Sequence, residues 1–535
     1  MAAEPLGDSP EHVAWLDAEC DRLIRFARGS RLAEGGFGWL DDIGRPVADG
    51  VVHTWVTARM THVFALAQLR RDGGAGVGET GGVTSGSSAE RGSGGGHAAG
   101  ESQGWGNAAD SRGRGRVGSA GLGEVGYGGD EFAADERAAE RFAADGFAAD
   151  GFVSGAFGSG PFGGRSFEDG AGAAELLAGG PPGGTAGDAD VDAREAAELV
   201  AHGLTALTEL LHDHEHGGWH PVVTRSGRPV LDAERLDGKR MYDHAFVVLA
   251  AASACAAGHR DAPALLAEAL DLVERRFWEA DRGACAESWD RAWTTGEPYR
   301  GANSNMHAVE AFLAAADATG EHKWRTRALR IAERVVHDHA RANRWRLIEH
   351  FDTDWTPRRE YHRERPADPF RPYGATVGHW FEWSRLLLSL ADSLPDPPGW
   401  LRTDAVDLFA AAVREGGHAD GRPGFVYTLD WAGQPVVRTR MHWVLAEAIA
   451  AAAALRRATG VADYDDWYRA WWEHADAVFL DRKHGSWHHE LDADARPSAT
   501  VWQGKPDAYH AVQATLLPRL RSAPTIAEAL RRATR

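Results

Sequence analysis

At 535 residues, 43% of them hydrophobic, the chain is long enough to bury a large core. A formal net charge of -20 argues against a phosphate-backbone partner and an anionic membrane surface, since both need basic patches. No apolar run approaches membrane-span length, and the start, MAAEPLGDSPEH, has neither the basic nor the apolar region of a secretory leader, so the expectation is a cytoplasmic protein with no nucleic-acid or membrane partner.

The first helix opens at Ser9, an N-cap followed by Pro10 at the first helical position, with Val13, Leu16, Cys20 and Leu23 on one stripe. Next, from residue 34, comes EGGFGWLDDIGRPV: a Gly-aromatic turn, an Asp or Gly, a Pro, and then a second helix. The same polar element returns as HGGWHPVVTRSGRPV at 216, RGACAESWDRAWTTGEPY at 282, RLIEHFDTDWTP at 346, RPGFVYTLDWAGQPV at 422 and HGSWHHELDADARP at 484. Each copy reads as a short β-hairpin with one helix before it and one after. Helices are predicted at 9–28, 53–71, 194–213, 239–257, 261–277, 303–318, 322–342, 372–392, 399–415, 438–458, 462–478 and 506–520.

Helices that precede the hairpin, such as TDAVDLFAAAVREG, are amphipathic. Those that follow it, such as AFVVLAAASACAAG, are apolar nearly all round and so belong inside. Two concentric layers of this kind give an all-α (α/α)6 barrel, with the starts of its inner helices ringing one end of a central cavity. Residues 72–193, rich in glycine and alanine and carrying a recurring Phe-Ala-Ala-Asp, have no helical period. They are read as a disordered insertion between the first inner and second outer helices, leaving 1–71 and 194–535 as a single domain. Cys20, Cys255 and Cys285 are scattered, an odd number without metal-ligand spacing, and are read as core residues.

Unusual polar residues cluster at the inner-helix starts: Trp55 and Arg59, Tyr242 and His244, Asn303 and His307, His379 and Glu382, Arg440, His442 and Glu447, and Asp507 and His510. Singly each reads as a satisfied core group; together, around one axis, they point to a wet site. His379 and Glu382 stand at i and i+3, as do His307 and Glu310, so the carboxylate is expected to orient the imidazole. Two oriented histidines facing one cavity suit proton transfer. Glycoside hydrolysis, which needs opposed carboxylates, ranks second; Glu382, Glu447 and Asp507 are the strong acid candidates. A zinc site is third: HDHEHGGWH (212–220) and WHHE (487–490) have irregular spacing and read as solvated loop histidines. The 21 tryptophans against 9 tyrosines favour a carbohydrate cavity.

The motifs GANSNMHAVEA, GHWFEW, RTRMHWVLAEA and GKPDAYH, in this order after an early TWVTARMTH, resemble the N-acylglucosamine 2-epimerase superfamily. Within it they are most similar to the aldose–ketose isomerase branch of mannose and sulfoquinovose isomerases. The resemblance spans the chain outside the insertion. It implies an (α/α)6 barrel that interconverts an aldose and a ketose, D-mannose and D-fructose first, through a cis-enediol(ate), with no metal and no cofactor. By this resemblance His510 is the base and acid between C2 and C1, with His379 its partner, oriented by Glu382. His307 with Asn303 aids ring opening or holds hydroxyls, and Arg59 stabilises the enediolate. Trp55, Tyr242 and Trp443 are pocket walls, and Glu447 and Asp507 complete the substrate-binding set. A sugar 2-epimerase and a silent sugar-binding barrel remain the alternatives; Lys505 and Arg240 are candidates for an anionic group at C6. Oligomeric state is left open. Removal of residues 75–190 is expected to leave folding and activity intact.

Overall fold

A computed structural model of the protein describes residues 6–48, 50–74, 190–230, 238–520 and 524–533. The expectation of a disordered insertion falls almost wholly on 75–189, outside the described residues. At its borders, residues 72–74 continue a helix and Asp192 caps the next one, accepting from Glu195 N at 2.8 Å.

The outer helices are α1 (Pro10–Arg28), α3 (Ala193–Thr205), α5 (Ala262–Leu272), α7 (His322–Ala332), α9 (Trp400–Gly416) and α11 (Asp463–His474); the inner helices are α2 (Thr54–Gly74), α4 (Met241–Ala256), α6 (Ala302–Thr319), α8 (Val377–Ser393), α10 (His442–Thr459) and α12 (Tyr509–Leu516). Ser9 caps α1 as expected, accepting from His12 N. Each inner helix packs on the next, and α12 returns to α2, closing the ring of an (α/α)6 barrel. The inner helices are apolar on almost every side because they have no solvent face: Val377, Trp380, Phe381, Trp383 and Leu387 of α8 are all fully buried. No described helix is long and apolar enough to cross a membrane.

Each turn element is closed by a single bridge ending at or near its proline, such as Val223 to Pro229 and Leu429 to Pro435. A second set of pairings joins successive repeats. The strand entering one inner helix runs antiparallel to the turn of the following repeat: β1 (Val51–His53) with β2 (Val222–Thr224), β3 (Lys239–Arg240) with β6 (Ser288–Trp289), β7 (Arg300–Gly301) with β8 (His350–Phe351), β9 (Ala375–Thr376) with β10 (Thr428–Leu429), and β11 (Arg440–Met441) with β12 (Glu490–Leu491). Leu40 bridges Lys505 and closes the circle. Among the strands of the described residues, only β4 (Trp278–Glu279) and β5 (Ala284–Cys285) pair within one turn.

These ladders also cap the inner helices. In five of the six inner helices an amide at the helix start lacks an intrahelical acceptor and finds one in the next repeat, as when Ala302 N donates to Glu349 O at 2.9 Å, Val377 N to Tyr427 O at 3.1 Å and His442 N to His489 O at 3.1 Å; in α12, Tyr509 N donates to Asp507 Oδ1 instead. The strands start α8 at 377 and α10 at 442, later than the predicted 372 and 438, because residues such as Ala375, Thr376, Arg440 and Met441 are held extended by the neighbouring repeat. A further helix, α13 (Ile526–Ala533), packs against the far end of α2 and has no counterpart in the predicted set.

Two turns are braced by buried lysines. Lys239 Nζ donates to Asp213 Oδ2 at 2.8 Å, and Lys505 Nζ to Asp481 Oδ2 at 2.6 Å, each aspartate also accepting turn amides. Lys505 is therefore structural, as is Arg240, which pairs with Asp243 at 2.6 Å. The expectation that either reads C6 is corrected: neither reaches the cavity lining.

Candidate active site

The inner-helix starts stand around one cavity of about 80 Å³. Trp55, Arg59, Tyr242, Asn303, His307, His379, Glu382, Trp443, Asp507 and His510 all line it. Glu447, expected to bind substrate, does not; it stands behind His510. His244 and Arg440 are also absent from the lining. His244 Nδ1 donates to Arg240 O at 2.7 Å, and Arg440 is engaged by Asp420. Sequence reasoning missed Phe370, Tyr427, His489 and Trp502 as lining residues. They sit on turns whose neighbours are set by pairing between repeats. The solvated reading of the two histidine-rich turns is corrected for His220 and His489, both buried; His489 stacks on His442 at 3.8 Å.

His510 Nδ1 donates to Glu447 Oε1 at 2.8 Å, which leaves Nε2 as the free acceptor. Burial holds the imidazole below its ordinary pKa, with Glu447 opposing the shift. His379 Nδ1 lies 3.0 Å from Glu349 Oε2 and 3.1 Å from Oε1. The expected orientation of His379 by Glu382 is therefore corrected. Although the two share a helix face, Glu382 points to the next layer, 3.8 Å from His307 Nδ1 and 3.9 Å from Arg385 Nη2, and a carboxylate from the turn before β8 takes the imidazole. His307 and Glu310 approach to 3.7 Å, beyond direct hydrogen-bond reach. Burial pushes His307 down to about 4. Burial, with the charge of Glu447 beside it, pushes Glu382 well above the carboxylate range. Burial opposes ionisation of Glu447 too, but Arg385 and His510 hold that carboxyl low.

Trp443 lies between the two histidines, its ring 5.3 Å from His379 and 5.6 Å from His510. Arg59 donates to Asp507 Oδ2 at 3.1 Å and to the Tyr242 hydroxyl at 2.9 Å, and sits over the Phe246 ring at 4.3 Å. The site thus offers a neutral base, a second imidazole with its own carboxylate and a fixed cation.

Donor atoms of His307, Glu310 and Glu382, and of Glu382, Glu447 and His510, converge within 4.8 Å of one another. A cation already stands among these carboxylates: Arg385 Nε donates to Glu447 Oε2 at 2.9 Å.

Against known proteins, residues 185–514 match the family model of N-acylglucosamine 2-epimerase. The D-mannose isomerase of Thermobifida fusca is 42% identical over 520 residues, 97% of each chain. That of Pseudomonas cannabina pv. alisalensis is 39% identical over 526 residues, 98% of this chain and 96% of its own. Among solved structures, a D-mannose isomerase superposes with a TM-score of 0.66 at 22% identity, covering 96% of this chain and 98% of its own. The cellobiose 2-epimerase of Spirochaeta thermophila DSM 6192 does so at 0.61 and 18%, covering 95% of each. The two solved structures share the fold. The family model and the near full-length relatives together show that this chain belongs to the N-acylglucosamine 2-epimerase family.

Proposed function

We propose that the protein is an aldose–ketose isomerase that converts D-mannose to D-fructose through a cis-enediol(ate), with side chains alone moving the protons. The observation that carries this reading is the pair His510 and His379, each backed by its own carboxylate and facing one cavity with Trp443 between them. Relatives named D-mannose isomerase, at 39% and 42% identity across nearly the whole chain, support the choice of sugar.

In the open-chain aldose, neutral His510 removes the proton from C2, the electron pair forms C1=C2, and O1 becomes the oxyanion. Imidazole removes so weak an acid only where the oxyanion is stabilised in a site of low dielectric, and Arg59, held by Asp507 and Tyr242, is the cation for that task. His379 takes the proton from O2 and delivers it to O1, and the His510 imidazolium returns its proton to C1, giving C1H2OH and a C2 ketone with both imidazoles neutral again. His307 and Asn303 hold the sugar hydroxyls or assist ring opening, and Trp55, Tyr242 and Trp443 wall the ring.

The test is a proton NMR time course with D-mannose in deuterated buffer containing EDTA. Fructose carrying deuterium at C1 is the expected product. Glucose without fructose would assign a 2-epimerase, the second reading, which the two histidines flanking Trp443 also favour because each is a base that could serve one face of C2. Product formation lost in EDTA and restored by a divalent cation would refute the metal-free step.

A further inference from the structure

His379, Glu382 and Arg385 form a column on one face of α8, three residues apart, the first two lining the cavity and Arg385 lying beneath it. Arg385 is buried at 4% exposure, with Nε on Glu447; its Nη2 and the facing Glu382 Oε1 have no hydrogen-bond partner. The neighbouring inner helices turn charged groups to the same layer. From α6 come His307 and Glu310; from α10 comes Glu447; from α12 come His510 and the Tyr509 hydroxyl, which donates to Glu310. Arg59 of α2 is already paired with Asp507 and with Tyr242 of α4.

Three carboxylates therefore share one guanidinium in an almost wholly buried layer. Glu310 accepts from Tyr509 and from Gln513 at 3.3 Å, and Glu447 accepts from His510 and Arg385, so both have the donors that an anion needs. Glu382 accepts from none of them: His307 and Arg385 stand 3.8 and 3.9 Å from its Oε1, beyond hydrogen-bond reach, and a buried carboxylate without donors is strongly disfavoured as an anion.

We propose that Arg385 is a positioning residue that keeps the two carboxylates beside it in opposite states: Glu447 ionised behind His510, and Glu382 un-ionised at the cavity floor, holding a proton for a sugar oxygen. This rests on the isomerase reading. As the cyclic sugar opens, the C1–O5 bond breaks, O5 takes the Glu382 proton, and His307 accepts the proton leaving O1; transfer from His307 back to Glu382, 3.8 Å away, restores both.

Arg385 also lines a second cavity at the opposite end of the barrel, about 200 Å³, together with His62 and Leu520. Removing the side chain opens the charged layer to that cavity, so a free guanidinium ion can take its place. With D-mannose, Arg385→Ala is expected to lose kcat by about 10²- to 10⁴-fold with little change in KM, and dilute guanidinium chloride, unlike sodium chloride, to restore at least about tenfold of it. In Arg385→Met, Glu447 loses its cation and protonates more readily, so the acid limb of the kcat profile should move to higher pH. A folded Arg385→Ala with wild-type kcat, no rescue by guanidinium, or an unmoved limb in Arg385→Met would overturn the proposal. If neither variant folds, or if mannose is not turned over, infrared difference spectra of the wild type against Glu382→Gln at neutral pH decide without substrate. The C=O stretch of an un-ionised acid should disappear with Glu382, and its absence from the difference sinks the assignment.

Discussion

Glu349 and Glu447 each hold one imidazole of the candidate site through Nδ1, so each fixes which ring nitrogen faces the sugar. Replacing either by glutamine keeps the shape and removes the charge, and it allows the amide to present N–H where a carboxylate accepted. Glu447→Gln is expected to lower kcat by about 10²- to 10⁴-fold, the contribution typical of one acid–base group. Glu349→Gln should cost less if His379 handles only oxygen-bound protons. Burial already depresses the His510 pKa, so kcat/KM in the wild type should hold as pH falls through about 6.5, the ordinary imidazole value, and decline only below it. Loss of Glu447, which opposes that depression, should move the limb further toward acid. Steady-state profiles with mannose test both; a limb that moves toward neutral pH would contradict the assignment of His510 as the base. The histidines themselves were legible because imidazole in an all-apolar helix stands out. Glu349 was not, since it sits 30 residues before its partner in a turn, and only the fold sets that turn against the start of α8, where Thr376 N and His379 meet the carboxylate.

At the scale of the element, α8 shows how the site and the packing constrain one another. Gly378 precedes His379 at the start of the helix, and a methyl group there would lie 2.3 Å from Trp443 Cζ3 and 2.8 Å from Val444 Cγ2. Gly378→Ala should therefore push back the indole that lies between the two histidines. The expected outcome is a loss of about 1 to 3 kcal/mol of stability, as in other overpacked sites, with a fall in kcat, read by denaturant melts and turnover on the same preparation. Unchanged values for both would mean that the indole moves freely and does not set the spacing of the imidazoles. The helices were readable from period and from the contrast between amphipathic and all-apolar partners, a signal that tertiary burial itself creates. The strands were not placed with their partners. Most are two residues long, too short for alternation, and their partners lie in the following repeat. The turn motif was visible six times over, but a hairpin closed by one bridge and a ladder between repeats leave the same mark on the sequence.

On the scale of the whole molecule, the ring closes without residues 75–189. The inner helix α2 packs on α3, on α4 and on α12, so its place is held from both directions around the barrel. Where the described chain resumes, Asp190 lies 4.0 Å from Arg71 Nη2, near the end of α2, and pairs with Arg25 of α1. The two ends that flank the segment are thus already brought together by side chains of the barrel. A linker of about six Gly and Ser residues, reaching roughly 20 Å when extended, is ample to join Gly74 to Asp190. For a segment that makes no ordered contacts, the entropy of closure grows only as the logarithm of its length, so the shorter link should stabilise the fold by up to about 2 to 3 kcal/mol. The excised protein is expected to melt at the same temperature as the full chain or higher, with kcat/KM for mannose unchanged. A lower melting temperature would show that residues 75–189 pack on the barrel, and a changed KM at unchanged stability would show that they reach the substrate path, either of which would end the reading of this segment as a passive excursion from the ring.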